Sequence, residues 1–348
     1  MKKENINSIN FIKAICALGI IISHFFTYLG DSTFKHFYLF ACGDLGSVCA
    51  QIFFMVSGAV LFYNYEKNLK VNIYYKKRWK SIFPMFYIAY ISVEISRIIE
   101  AKSFYRNGFF PYIFTILGMD GYLSQTTKTY YILGEWFLGM IIILYLIFPI
   151  ILKRFKKDDI SFLLFSVILY VLFLNNGVVN PVPMWSITSC LISFVFGMYV
   201  IKNRKIIINQ TTAMVALASI FILACYPLKT SGNICVHLMA GYLFIFFMYA
   251  GEWVMKNKSC NKIFGTISKY SYAIFLFQHI VIIEILSRHY TTNAIAVFGL
   301  LIIDIIVTLV VAVLLTKFTN LIMNGIAKIS KKSLKCKQKI ENINLKTK

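Results

Sequence analysis

From Ile9 to Leu29 the chain reads INFIKAICALGIIISHFFTYL, 21 residues broken by one lysine and one histidine. About 20 apolar residues in helical form cross a bilayer core, so this stretch predicts a membrane span. An ionisable side chain at mid-bilayer costs roughly 2.5–3.5 kcal/mol on insertion scales, and each one asks for a reason. Lys13 and His24 stand eleven positions apart. That is about 16 Å along a helix and almost three whole turns, which places both side chains on one face. Taken singly, Lys13 reads as an ammonium reaching back to the headgroups, and His24 as a hydrogen-bonded structural histidine. Taken together, a basic residue below a titratable ring on one face points to a site.

The remaining sequence repeats the apolar pattern. Of its 348 residues 59% are hydrophobic and 14% charged, with a mean hydropathy of +0.70. Soluble domains carry about 25% charged residues. The balance excludes a soluble enzyme, a disordered chain and a disulfide scaffold, and leaves an all-α, polytopic integral membrane helical bundle. Ten spans are expected, at 9–29, 44–64, 81–99, 131–152, 160–176, 184–201, 209–228, 234–255, 270–288 and 294–321. The net charge of +22 is scattered in bursts between these spans, which speaks against nucleic acid as a partner. With the N-terminus in the cytoplasm, 28 of the 36 lysines and arginines fall on the cytoplasmic side and 6 outside. That asymmetry sets the orientation, with both termini cytoplasmic. A membrane domain over residues 1–325 is expected, followed by a basic cytoplasmic tail over 326–348 lying against anionic lipid. The eight cysteines show no C-x2-C pair and read as small packing residues.

Several polar positions stand out within this frame. Ser57 and Gly58, in the second span, read as a helix contact. The segment Tyr74-Tyr75-Lys76-Lys77-Arg78-Trp79-Lys80 leads through Ser81 to Pro84. Its basic residues read either as positive-inside charge or as a clamp for a phosphorylated ligand at the inner surface, with Lys77, Arg78 and Lys80 as the contacts. Glu94 and Arg97 are spaced to neutralise each other, as are Glu284 and Arg288. Glu135 opens the fourth span, His279 lies within the ninth and Asp304 within the tenth. The five histidines show no pair at ligand spacing on one helix, so no metal site is expected.

These dispersed motifs together resemble acyltransferase family 3, the membrane-bound family that modifies bacterial surface carbohydrates. The family's first helix carries a basic residue, ten intervening positions and a histidine, matched by Lys13 and His24 with lysine where arginine is usual. An F-F-x-x-S-G signature is matched from Phe53 to Gly58, and a basic segment before a proline by Lys77, Arg78 and Pro84. A second arginine usual in that segment is Ser81 here. Trp136-Phe137-Leu138, Tyr145, Pro149, Ser271, Tyr272, Leu276 and His279 match further positions. The resemblance implies transfer of an acyl group, usually acetyl from acetyl-CoA, to a hydroxyl of a surface polysaccharide or lipid-linked glycan. It also implies a multi-pass protein of the bacterial plasma membrane. On that reading His24 is the general base or, alternatively, the acyl carrier, and Lys13 orients the donor or balances charge. His279 assists, Glu135 orients an imidazole or meets sugar hydroxyls, and Lys77, Arg78 and Lys80 hold the phosphates of coenzyme A. The alternative reading is a carrier or flippase for a lipid-linked sugar.

Overall fold

Hydrocarbon leaves a peptide group no partner but its own helix, so each apolar run is expected to close its hydrogen bonds internally. The computed structural model describes residues 6–40, 43–101, 109–130, 133, 136–175, 181–226 and 232–344. Its helices are α1 (Asn7–Leu29), α2 (Leu45–Tyr65), α3 (Val71–Ala101), α4 (Tyr112–Leu117), α5 (Asp120–Leu123), α6 (Trp136–Lys157) and α7 (Asp159–Leu172). They continue as α8 (Ile187–Lys202), α9 (Arg204–Ile207), α10 (Gln210–Cys225), α11 (Gly232–Val254), α12 (Lys258–His289) and α13 (Ala294–Asn344). A two-residue ladder, β1 (Leu39–Phe40) against β2 (Gly43–Asp44), leads into α2.

Seven helices, α1, α2, α3, α6, α11, α12 and α13, are long and apolar enough to cross a membrane. Apolar α7, α8 and α10 are shorter, at 14, 16 and 16 residues. Each span expected from sequence overlaps one of these ten helices. Polar residues mark their starts: Asp44 accepts the Ser47 amide at 2.8 Å, Asp158 that of Ser161 at 3.0 Å and Asn257 that of Ser259 at 2.9 Å. The third helix begins at Val71, ten residues before the expected 81. Tyr74 is fully buried there against Tyr65 and Phe148, and this packing carries the helix through its basic residues. Pro84 lies inside α3 rather than at its start. At the other end, α13 runs on past 325 into the basic segment expected as a tail.

α1 and α2 are the most buried of the seven long helices, and α13 is the least. Ile302, Ile303, Ile306, Val310 and Leu314 form an exposed apolar face on α13, as a lipid-facing helix requires. The tightest helix contact is between α2 and α8. A Cβ on Gly58 would overlap the carbonyl oxygen of Phe194, and one on Gly197 would overlap that of Met55. The two backbones therefore touch at a reciprocal pair of glycines, the way small residues bring membrane helices together. His237 ties α11 to α8, with Nδ1 2.7 Å from the Asn233 carbonyl oxygen and Nε2 3.0 Å from that of Ser189. The Tyr170 hydroxyl of α7 lies 3.2 Å from the same Nδ1. Buried Cys16, Cys49, Cys190 and Cys235 sit in helix contacts as free thiols. In the segment between α3 and α6, Thr115 donates to Asp120 at 2.7 Å, and burial holds that carboxyl up at about 6.

Gly58→Ala should destabilise the detergent-solubilised protein by about 1–3 kcal/mol, because neither backbone can yield. Gly299→Ala, whose Cβ would meet nothing within 4 Å, should change stability by less than about 0.5 kcal/mol. Equal melting temperatures for the two variants would contradict the α2–α8 contact.

Candidate functional site

Bordered by α1, α2, α3, α6 and α12 is a cavity of about 500 Å³. α1 lines it with Lys13, Ile20 and His24, one helical face as the spacing predicts. α2 runs antiparallel to α1 here: Ser23 Oγ accepts the Gly46 amide at 3.0 Å, and Cys49 Sγ lies beside Gly19 further in. His24 is thereby level with the start of α2, and Lys13 with Ser57. Asp44, Ser47 and Ser57 all face the cavity. The wall from Asp44 to Ser57 is about 20 Å long, so the space is a passage along the two helices rather than a round pocket.

The F-F-x-x-S-G segment divides its work by helical angle. Gly58 faces α8, while Phe53 and Ser57 turn to the cavity. Phe54 is buried against Phe137 and Trp136, with ring centroids at 4.5 and 6.0 Å. The sequence reading of this stretch as a helix contact therefore holds for Gly58 and misses Ser57.

The Lys13 end is cationic. Arg78 stands one turn before Ser81 and Ile82, which line the cavity, and its guanidinium lies over the Tyr145 ring at 5.6 Å from the centroid. Tyr145 is itself part of the lining, as is Lys13. Arg78 Nε is buried without a hydrogen-bond partner among the described residues. Lys77 and Lys80 are exposed on α3, and of the three expected phosphate contacts Arg78 is the half-buried one, held over Tyr145. Ser81, at the position of the family's second arginine, donates to the Arg78 carbonyl at 2.8 Å.

Pro149 explains how Tyr145 is held. It has no amide to offer the Tyr145 carbonyl four residues earlier in α6. Tyr74 fills the gap, its hydroxyl donating to that oxygen at 2.8 Å, and Tyr75 donates to the Leu146 carbonyl at 2.7 Å. From α12, Tyr272 lines the cavity and donates to the Ile82 carbonyl at 3.1 Å.

The opposite end holds the imidazoles. His279, one turn beyond the lining residue Phe275, lies against His24 with ring centroids 4.2 Å apart and planes at 33°. Tyr28 meets His279 edge-on at 5.5 Å. Two half-buried imidazoles are thus in contact, one of them on the cavity wall. Glu135 lies outside the described residues. Glu284 and Arg288 form the expected ion pair, on an exposed stretch of α12. Glu94 accepts a hydrogen bond from Tyr112 at 3.2 Å, and Asp304 is fully buried. Among the described residues no three metal-ligating side chains converge.

Sequence reasoning passed over Asp44, Ser47 and Trp185 as cavity residues. Asp44-x-x-Ser47 before an apolar run was legible as a helix cap. Nothing local marks Trp185, which reaches the cavity only through its stack on Trp136, with centroids 5.3 Å apart and planes at 6°.

Fold and cavity together define a multi-pass membrane protein with a polar site inside its bundle. More particularly, the chain belongs to acyltransferase family 3, whose acyltransferase domain matches residues 6–317, and it is a membrane acyltransferase. No curated protein and no solved structure matches the chain.

Tyr74→Phe should cost about 1–3 kcal/mol of stability by leaving the Tyr145 carbonyl without a donor. In a Pro149→Ala background, where a helical amide returns, the same change should cost much less. Equal losses in the two backgrounds, measured as melting midpoints in detergent, would refute this account of Pro149.

Proposed function

We propose that this protein transfers an acyl group, in the first instance acetyl from acetyl-CoA, to a hydroxyl of a surface polysaccharide or lipid-linked glycan at the bacterial plasma membrane. The observation carrying this reading is that Lys13 and His24 line one cavity, with Arg78 lying over Tyr145 of the same lining. A polyanionic donor suits the Lys13 end, with Lys13 and Arg78 as its charge partners and Lys77 and Lys80 at the approach. The ten apolar helices all cross the membrane in this proposal, with both termini and the 326–348 tail cytoplasmic. The cationic end then opens toward the compartment that supplies coenzyme A thioesters.

His24 acts as general base. It takes the proton of the acceptor hydroxyl as that oxygen attacks the thioester carbonyl carbon. The tetrahedral intermediate collapses with cleavage of the C–S bond, and the departing thiolate takes the proton from the imidazolium. His279 orients the His24 ring and spreads its positive charge, and Glu135 serves as its partner or meets the acceptor's hydroxyls. Lys13 holds the donor in register along the passage.

His24→Ala should lower transfer of radiolabelled acetyl from acetyl-CoA to membrane glycan by roughly 10²–10⁴-fold at matched expression, the range for loss of a general base. Arg78→Ala should raise KM for acetyl-CoA about tenfold or more, whereas Lys77→Ala should move it by less than about threefold. Wild-type transfer by the His24 variant would remove that residue from the reaction.

A further inference from the structure

The cavity is sorted by charge. Of the described lining residues Lys13 carries the positive charge and Asp44 the negative one, and they stand at opposite ends of the α2 wall. The Asp44 end has a second distinctive feature in the stacked rings of Trp136 and Trp185, both part of the lining. Phe54 backs Trp136 at 6.0 Å, so the stack is braced from behind. Trp185 is fixed to this end through its neighbour Met184, whose sulfur accepts from Gln51 Nε2 at 3.3 Å, one turn beyond Ser47 on α2. His24 is level with the same turn.

A flat aromatic wall, a carboxylate and a hydroxyl around one space match the two faces of a pyranose ring. The sugar's C–H face is apolar and lies flat on an aromatic surface, and its hydroxyls donate well to a carboxylate. Asp44 uses Oδ1 to cap α2, holding the Ser47 amide at 2.8 Å, which fixes the carboxylate's position and leaves it a second oxygen. A charged acid brought to the same space would face that carboxylate in a low-dielectric wall, far from Lys13.

Resting on the proposed acyl transfer, we infer that the α2 N-terminal end of the cavity is the acceptor subsite and that it selects neutral sugars. The pyranose lies on the Trp185–Trp136 stack with its hydroxyls toward Asp44 and Ser47, which brings one of them beside His24. Uronates and other anionic sugars are excluded by Asp44. The division of charge also keeps the reactants apart until they meet, since the polyanionic donor and the neutral polyol suit different ends.

The test is binding to the purified full-length protein in nanodiscs. The probes are neutral trisaccharides built on glucose, galactose, mannose or N-acetylglucosamine, with trigalacturonate as the anionic probe, all followed by saturation-transfer NMR. At least one neutral trisaccharide should bind ten or more times tighter than trigalacturonate. Trp185→Ala should weaken that sugar at least tenfold, and the milder Trp185→Phe should weaken it less. Asp44→Asn, which keeps a capping oxygen, should narrow the preference against trigalacturonate at least fivefold. The subsite is overturned if no neutral sugar binds, if trigalacturonate binds as well as any of them, or if Trp185→Ala leaves affinity unchanged. Acetyl-CoA binding, titrated on the same samples, reports separately on the donor end. Its absence in the wild type would remove the acyl-CoA reading while leaving the sugar measurements to stand or fall alone.

Discussion

Hydrocarbon solvates neither a peptide dipole nor a charge, and that single constraint arranges this protein. Backbone groups are satisfied by making nearly all the described residues helix, and α13 carries an exposed apolar face. Side chains that need polar company are drawn inward. Lys13, His24, Asp44, Ser57 and Tyr145 come from three different helices and the ladder before α2, yet all border one cavity. Such a cavity survives only if the helices around it are pinned elsewhere. The reciprocal glycine contact of α2 and α8 does this on the side of α2 facing away from the site.

Two prolines inside spanning helices show how a local defect becomes a positioning device. Pro149 removes an amide from α6, and the orphaned Tyr145 carbonyl recruits Tyr74 from α3. The bond joins two helices at the level where Arg78 lies over the Tyr145 ring. Pro84 interrupts α3 two positions beyond Ile82, whose carbonyl accepts from Tyr272 of α12. Each tyrosine is thus a strut between helices, and Tyr272 is also a wall of the cavity. A proline in a membrane helix is tolerated where a neighbour resupplies the missing hydrogen bond, and for Pro149 that supplier is Tyr74.

The electrostatic layout follows from the same economy of polar groups. With few charges inside the bundle, those present act over long distances because little water screens them. Lys13 and Arg78 reinforce one another as a positive end, and the paired imidazoles of His24 and His279 sit toward the end bearing Asp44. The passage therefore has a polarity along its length, set by helices α1 and α2 running in opposite directions. Reaction partners of different charge would meet near the imidazoles rather than compete for the same space.

Much of this was legible in the primary structure. Periodicity placed a helix in every expected span, and eleven-residue spacing set Lys13 and His24 on one face, because both depend only on local helix geometry. Spacing likewise identified the Glu284–Arg288 pair, which is one turn apart on a single helix. What lay beyond reach were relations between helices. That Arg78 lies half-buried over Tyr145 while Lys77 and Lys80 stay exposed depends on how α3 is rotated against α6. The meeting of His24 with His279 joins residues 255 positions apart. Trp185 enters the cavity through a stack with a ring on another helix, and Asp44 faces it because of where the β1–β2 ladder delivers the chain. Sequence determines which residues share a face of one helix; only the packed bundle decides which faces share a cavity, since that choice is made by contacts no single segment contains.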